Sequence, residues 1–136
     1  VLTADPAPVA APRELFVPLL PMVPTAERTF SRFAAVAGFM RLYKNGQKPI
    51  EPVAITTTIR DEKDRIEVQA TQTMGVEEFV GPGRVALGQK PKPGISSADL
   101  WYDIPVSKMA AGQHLLTIEA KTGETTIRRD VRFEVR

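Results

Sequence analysis

The C-terminal sequence MAAGQHLLTIEAKTGETTIRRDVRFEVR, residues 109–136, contains two runs in which apolar residues take every second position. The apolar positions are Leu116, Ile118 and Ala120 in the first run and Val131, Phe133 and Val135 in the second. A break at residues 121–124, which contains Gly123, separates the runs. Alternation with a period of two on both sides of a glycine-containing turn is typical of an antiparallel hairpin. The sequence therefore predicts a hairpin that closes a β-sandwich.

Similar alternation recurs upstream of this hairpin. Further strands are predicted at residues 30–33, 36–43, 53–59, 66–70 and 98–104. Asn45-Gly46 predicts a tight turn because this dipeptide tolerates positive φ, and Pro105 ends the last of these strands. Residues 74–97 are broken by glycine and proline, with residues 77–80 and 84–87 each a short edge strand or a turn of helix. About seven short strands without a convincing helix predict an all-β antiparallel sandwich of the immunoglobulin or fibronectin type III kind.

The predicted strand at residues 36–43 carries apolar bulk on both faces, with Phe39, Arg41 and Tyr43 on one of them. Either the strand is central and covered on both faces, or this face docks onto a neighbouring domain. Alternation in residues 98–104 turns Ala98, Leu100, Tyr102 and Ile104 inward and Trp101 outward. Trp101 is then either an anchor for a protein or sugar partner or is covered by the loop at residues 81–94.

The N-terminal residues 1–30 hold half of the twelve prolines. Proline fixes φ and removes a backbone donor, so this segment is predicted to be a linker or a lead that packs on a sheet edge, followed by one sandwich domain at residues 31–136. Its apolar run at residues 15–20 either packs on its own domain or binds a partner as a strand. The chain begins at Val1 and shows no signal peptide, which leads us to expect a fragment or mature form of a longer protein.

Composition and charge exclude several classes of protein. The chain has 136 residues, 43% of them hydrophobic and 25% charged, which predicts one soluble globular domain and no membrane span. Its 18 basic and 16 acidic residues are interspersed, so nucleic-acid binding is not expected. The absence of cysteine removes disulfides, thiolate chemistry and cysteine-based zinc sites.

No residue pattern predicts catalytic, cofactor-binding or metal-binding residues. The single histidine, His114, makes neither a triad nor a typical zinc site, and its position after Gly112 indicates a corner residue of a sandwich. The acidic turn at residues 61–64 is either solvated or a calcium loop, although the EF-hand pattern is absent. The usual phosphate-loop and hydrolase motifs are missing. We therefore expect no enzyme activity, no cofactor and no small-molecule ligand.

The arginines near the C-terminus fall on two sides of the last predicted strand. Arg128, Arg132 and Arg136 share a side with Asp130 and Glu134, which predicts a solvated face of alternating charge. Arg129 has the parity of Val131 and the apolar positions. Either a β-bulge turns it outward, or it forms a buried pair with an acid.

Three segments carry a resemblance to a known family: RFAAVAGFMRLY at residues 32–43, IPVS at residues 104–107 and AGQHLLTIEA at residues 111–120. With the proline-rich lead, their order over residues 28–136 resembles the C-terminal region of secreted bacterial proteins with a von Willebrand factor A-related domain. The resemblance implies an immunoglobulin-like accessory domain outside the cytoplasm, following a domain that would carry any metal-dependent adhesion site. That site's motif, Asp-x-Ser-x-Ser, is absent here, and His114 stands where relatives tend to place tyrosine.

The sequence thus predicts a non-catalytic, secreted, periplasmic or cell-surface module that binds a neighbouring domain or another protein. Its expected interaction residues are Phe39, Arg41, Tyr43 and Trp101. The alternative hypothesis is a carbohydrate- or ligand-binding sandwich that uses Trp101 and the loop at residues 81–94.

Overall fold

The computed structural model describes residues 2–5, 25–46, 48–81 and 94–136. Its strands are β1 Leu2–Asp5, β2 Thr29–Phe30, β3 Ala35–Asn45, β4 Val53–Asp61, β5 Ile66–Met74, β6 Ile95–Ile104, β7 Gly112–Thr122 and β8 Thr125–Val135. Two single turns of 3-10 helix span Val76–Glu78 and Val106–Lys108.

The strands form two sheets, one with the order β1-β3-β6 and one with the order β2-β8-β7-β4-β5. All neighbours are antiparallel except the two-residue strand β2, which runs parallel to the end of β8. The consecutive strands β3 and β4 lie in different sheets, as in the Greek-key connections of immunoglobulin-like domains. The predicted all-β antiparallel sandwich is confirmed.

The predicted C-terminal hairpin is present, but its loop is shorter than the predicted break at residues 121–124. Thr122 pairs with Thr125, so the loop consists of Gly123 and Glu124 alone. Gly123 has a φ of +55° while Glu124 has no positive φ, which suits a two-residue hairpin turn with glycine at its first position. Alternate side chains of β7 and β8 then point between the sheets, where Leu116 and Phe133 are fully buried.

Apolar side chains from both sheets fill the space between them. The buried set includes Val36, Leu42, Ala98, Leu100 and Ile104 from the three-stranded sheet and Ile55, Ile59, Leu116, Ile118, Phe133 and Val135 from the five-stranded sheet. Inward positions predicted from alternation are therefore confirmed at Ala98, Leu100 and Ile104. Thr58 points away from this core but is also buried, because its strand is central and Gln69 and Thr117 lie directly opposite it on both sides.

The start of the domain differs from its prediction. The strand is Thr29–Phe30, whereas residues 31–34 form a turn in which Ala34 N donates to Ser31 O and Phe33 is 98% exposed. A prediction of a strand at residues 30–33 was wrong because the ladder with β8 ends at Phe30. Leu2–Asp5 pairs with β3, and Thr25 N donates a hydrogen bond to Leu2 O, so both ends of the proline-rich lead contact sheet edges. The apolar run predicted at residues 15–20 lies outside the described residues.

Residues 74–81 contain both a turn of helix and a short edge pairing, the two alternatives predicted for residues 77–80. Val76–Glu78 is a turn of 3-10 helix, and Val80 forms an isolated antiparallel bridge with Ser97 of β6. The predicted turn after β3 contains Gly46 with a φ of +125°, after which the chain crosses to the five-stranded sheet. The second candidate, residues 84–87, lies outside the described residues.

Candidate interaction surface

All four predicted interaction residues lie on the outer face of the three-stranded sheet. Phe39 pairs with Trp101, and two residues along β3 Arg41 pairs with Asp99. Tyr43 follows on the same side of β3, opposite Ser97. Directly opposite residues of antiparallel strands share a face, so the register brings together side chains that are far apart in the chain. We call the set Phe39, Arg41, Tyr43, Asp99 and Trp101 the aromatic face.

The aromatic face is covered at one end and open at the other. Phe39 is 2% exposed although it lies outside the main core cluster, whereas Tyr43 is 68% and Trp101 is 46% exposed. The rings of Phe39 and Trp101 meet edge to face with centroids 5.1 Å apart. The face is therefore covered at Phe39 while its two aromatic neighbours reach solvent, and docking onto a neighbouring domain stays a prediction.

An ion pair fixes the centre of the aromatic face. Arg41 Nε lies 2.6 Å from Asp99 Oδ1, and Arg41 Nη2 lies 3.1 Å from Asp99 Oδ2, so the pair is bidentate. Hydrogen bonding to Asp99 raises the pKa of Arg41, which stays charged at any ordinary pH. The guanidinium carbon also lies 5.6 Å from the centroid of the Phe39 ring, within cation–π range. The planar cation is thus held in one orientation.

Two exposed aliphatic residues extend the aromatic face and were missed from the sequence. Ile95 is 61% exposed and pairs with Asn45, while Val80 is 71% exposed and bridges Ser97, the residue opposite Tyr43. Ile95 could have been found by continuing the alternation of β6 back from Trp101. Val80 had no such signal, because its single bridge lies outside any regular strand.

The outer face of the five-stranded sheet has the opposite character. Gln69, Thr58, Thr117 and Asp130 form a row across its strands. Thr117 Oγ1 donates to Asp130 Oδ1 at 2.7 Å, and Arg128 Nε lies 3.0 Å from the same oxygen. These bonds, led by the one from Thr117, lower the pKa of Asp130. The side chains of Arg128 and Asp130 are exposed, in keeping with the predicted solvated face.

Both predictions for Arg129 were wrong. The ladder between β7 and β8 has no register shift, so no bulge turns Arg129 outward, and it stands opposite the buried Ile118. No ion pair joins it to an acid within the described residues, and Arg129 is exposed. On its outer side β8 pairs with β2 only at Glu134 and Val135, so at Arg129 the strand has no outer neighbour within the described residues.

His114 is a buried corner residue. Its Nδ1 lies 3.0 Å from Gly112 O, so the imidazole hydrogen-bonds to the backbone of its own corner. The ring stacks on Phe133 with centroids 5.4 Å apart. Nε2 lies 2.8 Å from Glu67 Oε2 but is not aligned for a hydrogen bond, so it is the one buried side-chain polar atom without a bonded partner in the described part of the chain.

In the acidic turn after β4, the carboxylate of Asp61 accepts hydrogen bonds from residues of the turn itself. Asp61 Oδ1 accepts hydrogen bonds from the backbone N–H groups of Lys63 and Arg65, and Asp61 Oδ2 accepts one from Arg65 Nε. These bonds, led by the backbone N–H of Arg65, lower the pKa of Asp61. Within the described ranges no group of three or more histidines, cysteines, aspartates or glutamates has the geometry to hold a metal ion.

Comparison with known proteins does not place the chain in a family. No family model matches it, and no curated protein matches it. Among the described residues, no helix has both the length and the apolar character needed to cross a membrane.

Proposed function

We propose that this chain is a non-catalytic β-sandwich module whose aromatic face binds a neighbouring domain or another protein. The observation that carries the proposal is the contrast between the two outer faces. One presents Gln69, Arg128 and Asp130 to solvent around the buried Thr58 and Thr117, and the other presents Tyr43, Trp101, Val80 and Ile95. Clustered exposed aromatic and aliphatic side chains mark interaction surfaces on soluble proteins.

The aromatic face has the composition and rigidity of an interface centre. Tyrosine, tryptophan and arginine dominate the binding energy of many interfaces. Trp101 is braced by Phe39, and Arg41 is held by Asp99, so a partner would not need to order these side chains. Pre-organisation of this kind lowers the entropic cost of association.

Site-specific photo-crosslinking in the native host tests this proposal. A benzophenone amino acid replaces Tyr43 on the aromatic face or, as the matched control, the exposed Thr126 on the polar face. We expect one defined adduct from position 43, reduced by Trp101→Ser in the same chain, and none from position 126. Equal adducts from both positions, or none from either, would contradict the proposal.

A carbohydrate-binding function is the second candidate, and the half-exposed Trp101 is the observation that favours it. Trp101 is the only tryptophan in the chain, so its fluorescence reports directly on this face. A sugar that stacks on the indole should shift the emission and lose binding in Trp101→Ala. Unchanged emission across a glycan panel eliminates this candidate.

We further propose that the module works outside the cytoplasm, in the periplasm, at the cell surface or in the medium. The support is the resemblance of residues 28–136 to a C-terminal region of secreted bacterial proteins with a von Willebrand factor A-related domain. Fractionation of cells that express the complete protein tests the location. Recovery in the cytoplasmic fraction alone would overturn it.

A further inference from the structure

A second surface lies along the outer edge of β8, and the cavity beside it shares Tyr43 with the aromatic face. On that side β2 pairs only with Glu134 and Val135, so residues 125–132 have no strand partner within the described ranges. All of residues 125–130 are exposed. An unpaired edge of this length presents a row of backbone donors and acceptors that can accept an added strand.

An apolar cavity of about 260 Å³ opens beside this edge, between the ends of the two sheets. Its lining includes Leu42, Ile50, Val53, Phe79, Ala120 and Ile127. Ile127 stands opposite the buried Ala120 and therefore faces inward, yet it is 43% exposed. An inward-facing isoleucine that remains open to solvent leaves room for one more apolar side chain against it.

Arg129 supplies a charge next to the cavity. It follows Ile127 by two residues and so lies on the same side of β8. Its guanidinium donates to a backbone carbonyl of its own strand, with Nη1 2.8 Å from Arg128 O, and makes no ion pair within the described residues. Glu51 also lines the cavity, but within the described residues no ion pair joins it to Arg129, so the guanidinium can pair with a carboxylate brought by a partner.

We infer that the free edge of β8 accepts an extended segment of another protein as an added strand. The segment carries an apolar residue that enters the cavity against Ile127 and, two residues away, an aspartate or glutamate that pairs with Arg129. Residues two apart on a strand point to the same side, so one segment satisfies both positions. A second copy of this chain fits less well, because antiparallel registers centred on Arg128 or Arg129 set arginine against arginine.

Selection from a displayed library of ten-residue peptides tests the inference on the intact chain. We expect enrichment of an apolar residue with Asp or Glu two positions from it, the acid coming first if the added strand runs antiparallel to β8 and second if it runs parallel. In Arg129→Glu the preference for the acid should change to Lys or Arg. The Arg129→Glu variant distinguishes an ion pair from nonspecific apolar binding. An apolar contact alone would not change which charge is preferred in the selected peptides.

The selected peptide is then measured against matched variants. Ile127→Ser and Arg129→Glu should each weaken its binding by about tenfold or more, while Trp101→Ser on the aromatic face should leave it within about twofold. Backbone amide exchange should slow in residues 125–132 when the peptide is bound. The comparison of the Ile127 and Arg129 variants with Trp101→Ser distinguishes binding at this edge from binding at the aromatic face. Either proposal can therefore fail while the other stands.

Three results would overturn the inference. They are a library without enrichment, the same peptides selected by Arg129→Glu as by the native chain, and a self-associated species in light scattering that dissociates on Ile127→Ser. The last result would assign the edge to a second copy of the chain.

Discussion

Tyr102 lies across the backbone of Gly38, its directly opposite neighbour in the β3–β6 ladder, and leaves no space for a β-carbon at that position. Glycine in the middle of a strand normally weakens it, because the residue has no side chain to pack and loses more backbone entropy. Here the ring covers the bare backbone and fills that space. Aromatic residues protect glycines of designed sheets in the same way.

A methyl group at position 38 should therefore destabilise the fold. We expect Gly38→Ala to lower the free energy of unfolding by about 1–3 kcal/mol, the usual cost of overpacking. Urea denaturation measures the loss. In a Tyr102→Ala background the same substitution should cost much less, and an equal cost in both backgrounds would show that the ring is not the obstacle.

Burial raises the pKa of Tyr102 to about 12. In the unfolded chain a tyrosine ionises near pH 10, so between about pH 10 and 12 the unfolded state loses a proton that the folded state retains. Stability should fall as the pH rises through this window. The chain has two tyrosines, so Tyr43→Phe leaves Tyr102 alone, and its absorbance near 295 nm should change close to pH 12. A midpoint near pH 10 in the folded variant would contradict this prediction.

The bonds to Asp61 make a contribution to stability that acid removes. Its pKa is lowered from 3.8 by the hydrogen bonds from Arg65 and Lys63, so the folded state favours the carboxylate. The contribution is fully present above the unfolded pKa and is lost as the pH falls through the lower folded value. We expect the stability of Asp61→Asn to change less than that of the native chain below about pH 4. Equal acid dependence in the two proteins would argue against this role.

His114 should contribute to stability through both its ring and its corner bond. His114→Ala removes the stack on Phe133 and should cost about 2–4 kcal/mol, as other large-to-small core changes do. His114→Phe keeps an aromatic ring but loses the hydrogen bond to Gly112 O. It should therefore cost about 1 kcal/mol, less than the alanine variant. Thermal and urea unfolding rank the variants. A larger loss in His114→Phe than in His114→Ala would contradict this ranking and show that an apolar ring does not fit the site.

Much of the strand pattern was predictable because alternation is a local property. The C-terminal hairpin, the pairing of β4 with β5 and the inward side of β6 all follow from a period of two, although the hairpin loop is two residues shorter than the predicted break. The strand at Thr29–Phe30 was misplaced because its end depends on where β8 ends. Apolar content alone does not report that distant boundary.

For the candidate surface, the sequence predicted which side chains point outward in each strand but not which of them lie together. Alternation turned Phe39 and Trp101 away from the core in two different strands, but their contact depends on β3 pairing with β6 in this register. The exposure of Arg129 and the approach of Glu67 to His114 also depend on which strands lie at a sheet edge or beside one another. No local pattern carries that information.

From its residue order alone, the chain specifies where strands run, which side of each is apolar and where glycine or proline ends them, because these depend on backbone preference and on a two-residue period. The folded arrangement adds which strands pair, which part of β8 has no outer neighbour among the described residues and which aromatic residues of β3 are covered, Phe39 being buried while Tyr43 is exposed. Those features arise from packing between residues far apart in the chain, so they exist only once both sheets have assembled around one core.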